Sequence, residues 1–152
     1  MDINKINSAL QDLIIRLQDA EKGYKEITKA THNQPLVTWL NRYAQERHEM
    51  HRQLEGHMEI RGGEPEVKTS ILGNIHRMFL DVKLNAIDDD FSPIVDEIQR
   101  GSSVLIEDYN KVLNEVDLST NLKTTLESQK YTIEKEIKEL TKLRNELETV
   151  PA

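Results

Sequence analysis

The sequence predicts an all-α, single-domain protein built as a bundle of long amphipathic helices. Three observations carry that expectation. Apolar residues recur three and four positions apart through most of the 152 residues. Breaks rich in Asn, Asp, Ser and Pro, such as Asn33–Pro35 and Ser92–Pro93, separate the periodic stretches. No stretch alternates with the two-residue period of a half-buried strand.

The first helix is expected over about 3–31. Ile3, Ile6, Leu10, Leu13, Leu17, Ala20, Tyr24 and Ile27 form one narrow stripe, the seam of a bundle. Asn33 or Gln34 followed by Pro35 opens a second helix over about 35–61, because proline suits a first turn whose N–H groups have no helical partner. Its seam is Leu36, Leu40, Tyr43, Met50 and Leu54, and Gly62-Gly63-Glu64-Pro65 stops it. A short third helix is expected over about 69–87, with Ile71, Ile75, Met78, Phe79 and Val82 on one side. The acidic run Asp88–Asp90 and the pair Ser92-Pro93 suit the start of a fourth helix over about 92–116. A turn at Asp117–Ser119 leads to the last helix, about 120–148, with Leu122, Leu126, Ile133, Ile137 and Leu140 inward. Short turns make two antiparallel hairpins, and the long segment between them can travel back along the bundle. That favours a ferritin-like four-helix bundle with the extra short helix in the crossover.

Composition narrows function by exclusion. There are 27 acidic against 20 basic residues, a formal net charge of −7. A nucleic-acid backbone or an anionic membrane as main partner would favour a basic face instead. With no cysteine, thiolate ligands, a cysteine nucleophile and disulfides are excluded. The first twenty residues are periodic and polar, so no secretory signal is expected, and no apolar run approaches the ~20 residues of a membrane span. A cytoplasmic protein is the resulting expectation.

The order of short motifs is also informative. Asp19–Tyr24 reads DAEKGY, Tyr43–Arg47 reads YAQER, and GGEPE follows at Gly62–Glu66. Gly73-x-x-His76-Arg77, then Gln99-Arg100-Gly101 and Tyr109, complete the series. Together these resemble a bacterial family of ferritin-like four-helix bundles of unknown function, often associated with stress responses. The resemblance spans about Ile3 to Leu147 and implies the fold far more than an activity. Relatives often carry Glu after the Arg-Gly pair and His on the last helix; here those positions hold Ser102 and Ile137. A carboxylate-and-histidine site of that kind would be incomplete in this chain.

The stretch Arg42–Met58 holds three histidines and three glutamates, so a metal site has to be weighed. A di-metal carboxylate bundle needs inward Glu from two helices and Glu-x-x-His from each of the others. No Glu-x-x-His occurs in the chain. At 100° per residue Glu21 lies roughly 40° from its seam centre and faces inward. Turn geometry puts it level with Glu46 and Arg47, and Tyr24 level with Tyr43. An inward glutamate beside an inward arginine is read as a structural ion pair, with a fixed positive charge where a di-cation would have to sit. The polar centre is therefore expected to comprise Glu21, Arg47, Tyr24, Tyr43, Ser102 and Tyr109. No catalytic, cofactor or metal residue is assigned; if a metal binds, Glu21, Glu46, His51 and Glu136 are the candidates.

His48 is expected to be solvated and His51 to lie at the seam border. The spacings His48/His51 and His51/Glu55 can hold Zn²⁺ or Ni²⁺, but a plain helix surface is the preferred interpretation. His57 is expected to be a hydrogen-bonded interior group. The functional expectation is a non-enzymatic protein acting through self-association, as a dimer, or through a protein partner. The alternative is a di-iron or di-manganese (Fe or Mn) oxidoreductase or metal-storage protein.

Overall fold

The computed structural model describes residues 2–66 and 91–149, which contain four helices and no strand. They are α1 (Ile3–Ala30), α2 (Gln34–Ile60), α3 (Phe91–Glu115) and α4 (Thr120–Thr149). The expected short helix over 69–87, with Asp88–Asp90 and His76, lies outside the described residues. Among the described residues, no helix is long and apolar enough to cross a membrane.

Three of the four helix starts have a local chemical cause; α3 starts at Phe91, so Ser92, expected as its cap, lies inside the helix. Asp2 caps α1 by accepting from the Lys5 N–H at 3.1 Å, and Asn33 caps α2 by accepting from the Leu36 N–H at 3.0 Å. Pro35 follows in the first turn of α2. Ser119 precedes α4, and its Oγ accepts from the Leu122 N–H at 3.3 Å. At the far end of α2, Gly62 takes a left-handed φ of 77°. The N–H groups of Gly62 and Gly63 then reach back to the carbonyls of Glu59 and Met58, each at 2.9 Å, closing the open end of the helix.

Side-chain contacts fix the helix directions. Along α2 and α4, Arg61 meets Ser119, His57 meets Thr125, Arg47 meets Glu136 and Tyr43 meets Glu139, so the two run antiparallel along their length. Tyr109 with Gln129 and Gln99 with Thr141 make α3 antiparallel to α4. Between α1 and α3, one groove is lined by Lys5, Ala9, Val112 and Val116, and a second by Ala20, Tyr24, Ile98 and Gly101. These two helices are therefore antiparallel as well. With α1 taken as up, α2 and α3 both run down and α4 runs up. The link from α2 to α3 consequently joins opposite ends of the bundle.

The core has two apolar halves. One gathers Ile6, Leu10, Leu13, Leu17, Met50, Leu54, Leu105, Leu126 and Ile133. The other gathers Tyr24, Ile27, Leu36, Leu40, Tyr43, Ile98 and Leu140. The seam crosses from one half to the other between Leu17 and Tyr24, Ala44 and Met50, Ile98 and Leu105, and Ile133 and Leu140. The gap is about one heptad on every helix. Arg47, Ser102 and Glu136 fall inside it, all buried.

Candidate functional site

The mid-height gap is where this bundle concentrates its polar chemistry. Arg47 projects from α2 into it with only 1% of its side chain exposed, and its Nη1 lies 2.7 Å from Oε2 of Glu136 on α4, itself 4% exposed. A lone buried guanidinium would be costly, and the Glu136 carboxyl, when ionised, supplies its counter-charge. The Tyr24 ring lies under the guanidinium at 5.8 Å, and Met50 Sδ accepts from Nη1 at 3.8 Å.

Glu136 is not a plain carboxylate. Burial pushes its pKa up, Arg47 pulls it down, and a hydrogen bond from the neighbouring Glu46 carboxyl pushes it up again, to about 8. Glu46 stands beside it on α2 and has its own cation, Arg42, whose Nε lies 3.4 Å from Glu46 Oε1.

Two tyrosines flank this layer as neutral phenols. Burial raises Tyr43 far above its ordinary range, and its hydroxyl donates to Glu139. Tyr109 is likewise raised by burial, against the pull of Arg47. Its hydroxyl donates to Gln129 Oε1 at 2.6 Å, while Gln129 Nε2 donates to the Met50 carbonyl at 3.1 Å and to Gln53 at 2.8 Å. Ser102 is buried on α3.

Glu21 corrects the expected pairing. Its partner is not Arg47; it turns to the flank of the α1–α2 hairpin. Oε1 lies 2.8 Å from His51 Nε2 and 3.1 Å from His48 Nδ1, and Oε2 accepts from Lys25 at 2.7 Å. Burial pushes the Glu21 carboxyl up, but hydrogen bonds from Lys25, His51 and His48 outweigh it and bring the pKa down to about 2. The expected level was one turn short. Glu21 faces positions 48 and 51 because its side chain reaches along α2 rather than straight across.

His48 is half-exposed at 47% yet touches Glu21, and His51 is buried rather than marginal. The nearer expectations for α2 fare well. His57 Nε2 lies 3.0 Å from Thr125 Oγ1 and is half-buried. Trp39 meets both tyrosine rings edge-on, Tyr24 at 6.4 Å and Tyr43 at 3.8 Å. The residues weighed as metal candidates thus divide. Glu46 and Glu136 join Arg47 in the middle layer, whereas Glu21 and His51 meet His48 at the hairpin flank. The His48-x-x-His51 spacing is visible in the sequence and is read there as helix surface; what the sequence does not show is that Glu21 joins the two histidines.

The architecture defines an all-α bundle whose middle is closed by an ionic layer. The chain belongs to the family described as a domain of unknown function (DUF2383), whose profile matches residues 5–115. No curated protein and no solved structure matches it.

Proposed function

We propose that this protein is a ferritin-like bundle, with a short helix in the crossover from α2 to α3, that acts without chemistry of its own. It works by association, with a second copy of itself or a protein partner, as a stress-associated protein of the bacterial cytoplasm. The ferritin-like assignment is supported by α2 and α3 running in the same direction. The stress association is carried by the motif resemblance.

The observation behind the non-enzymatic reading is the position of Arg47. A di-iron or di-manganese centre would have to occupy the space between Arg47 and Glu136. A guanidinium stays protonated there, and it opposes any second cation. The carboxylates beside it already face cations, Glu136 with Arg47 at 2.7 Å and Glu46 with Arg42 at 3.4 Å. Apolar groups for a contact surface stand at the mouth of the α1–α2 hairpin, where Ile60 is 82% and Ile3 50% exposed.

The test is the mass of the full chain in solution by light scattering, with metal content on the same sample. A dimer, twice the 17.6 kDa of one chain, is expected. A monomer that takes up two iron or manganese ions per chain and consumes oxygen overturns the proposal.

A further inference from the structure

Outside the middle layer, one cluster has the composition of a metal shell. Glu21 from α1 and His48 and His51 from α2 present one ligand atom each, all within 4.8 Å of one another. Their contacts share a single atom, Oε1 of Glu21, with His51 Nε2 at 2.8 Å and His48 Nδ1 at 3.1 Å. Behind His51, the other ring nitrogen Nδ1 lies 3.4 Å from Oε2 of Glu55, which is buried and has Arg52 Nη1 at 3.5 Å.

The donor count makes this arrangement chemically pointed. A neutral imidazole carries one N–H, yet both nitrogens of His51 face carboxylate oxygens. If Nδ1–H donates to Glu55, the lone pair of Nε2 points at an oxygen that is itself an acceptor. That pair of acceptors is resolved by a second proton on the ring or by a divalent cation drawn between them. A carboxylate holding one imidazole nitrogen while the other faces a metal is the usual outer support of a histidine ligand, and Glu55 stands in that place. Two imidazoles and one carboxylate suit a borderline divalent ion such as Zn²⁺, held at about 2.0–2.2 Å from each donor. Lys25 binds the opposite oxygen of Glu21 from a largely exposed position, so Oε1 is left to the histidines. The half-exposed ring of His48 leaves one side of the cluster open to water for the remaining coordination.

We propose that Glu21, His48 and His51 form a mononuclear zinc-class site that pins α1 to α2, with Glu55 orienting His51. The site lies on the hairpin flank and leaves Arg47 and Glu136 untouched. It therefore adds to the association reading without depending on it.

The full chain, freed of metal with a chelator, is titrated with zinc sulfate by calorimetry and by thermal melting; Co²⁺ is then used to read coordination from visible absorption. One zinc per chain is expected, with a rise in Tm of several degrees from binding to the native state alone. Because His51 is buried, the deciding variants are His48→Ala and Glu21→Gln, each checked for native helicity. Each should weaken zinc about tenfold or more. The double variant His32→Ala/His76→Ala should bind as the parent chain does. Absence of stoichiometric zinc overturns the proposal, and so does zinc binding of undiminished strength in His48→Ala or Glu21→Gln.

Discussion

Nη1 of Arg47 and Oε2 of Glu136 lie 2.7 Å apart between α2 and α4, in a layer that separates the two apolar halves of the core. Arg47 Nε is buried without a hydrogen-bond partner among the described residues, so the pair is incompletely satisfied. Removing one partner should therefore cost far more than removing both. Arg47→Ala is expected to lower unfolding stability by about 3 kcal/mol, and Arg47→Met with Glu136→Leu by much less or nothing. Urea denaturation of the two single variants and the double variant measures the coupling; additive losses would refute it.

The pH dependence has a definite sign. Glu136 has its native pKa raised to about 8 from an ordinary 4.5, with burial as the first cause. The folded state thus holds a proton that the unfolded chain releases. This group's contribution is full below pH 4.5, falls as pH rises, and is exhausted above about 8. Glu136→Gln keeps the neutral shape and should flatten the decline of stability between pH 5 and 8, as melting temperatures across that range would reveal.

The Tyr109–Gln129 bond offers a smaller, cleaner perturbation. Tyr109→Phe keeps the ring and removes the donor, leaving Gln129 Oε1 buried and unmatched. A loss of about 1–2 kcal/mol is expected. Chemical denaturation is the measurement, and a value near zero would mean that water replaces the phenol.

Ser119 serves two helices at once. It caps α4 and accepts from Arg61 Nη2 at 2.8 Å, tying that cap to the end of α2. Ser119→Ala is expected to cost about 1–2 kcal/mol and Ser119→Asp much less, since aspartate caps as well and adds charge beside arginine. Gly62→Ala, at a left-handed φ of 77°, should cost about 1 kcal/mol. Thermal melts would rank all three.

Much of the bundle is visible in the residues themselves. The seams of Leu10, Leu13, Leu17, Leu36, Leu40, Leu122 and Leu126 are all buried, because helical period alone determines which face turns inward. The caps at Asn33 and Ser119 follow from local hydrogen bonding, which sequence also carries. The pairing inside the polar layer is less accessible. Glu21, Glu46 and Glu136 all stand near the same height, and which one meets Arg47 depends on side-chain reach and the exact rotation of α4. A one-turn error is enough to exchange Glu136 for Glu21. The histidine cluster is half legible: the His48/His51 spacing shows in the sequence, but helical phase places His48 outward and Glu21 inward, so their contact does not.

The layer at half height also governs how the helices may slide. Apolar seams built from leucine and isoleucine tolerate displacement by a turn, since one aliphatic group replaces another. Around Arg47 they do not: moving α4 by a single turn would set Ile133 or Leu140 against the guanidinium in place of Glu136. The ionic pair thus behaves as a detent, leaving one translational setting in which the charge is answered. Strength is spent there on alignment, and the bundle's length becomes a ruler with a single zero mark.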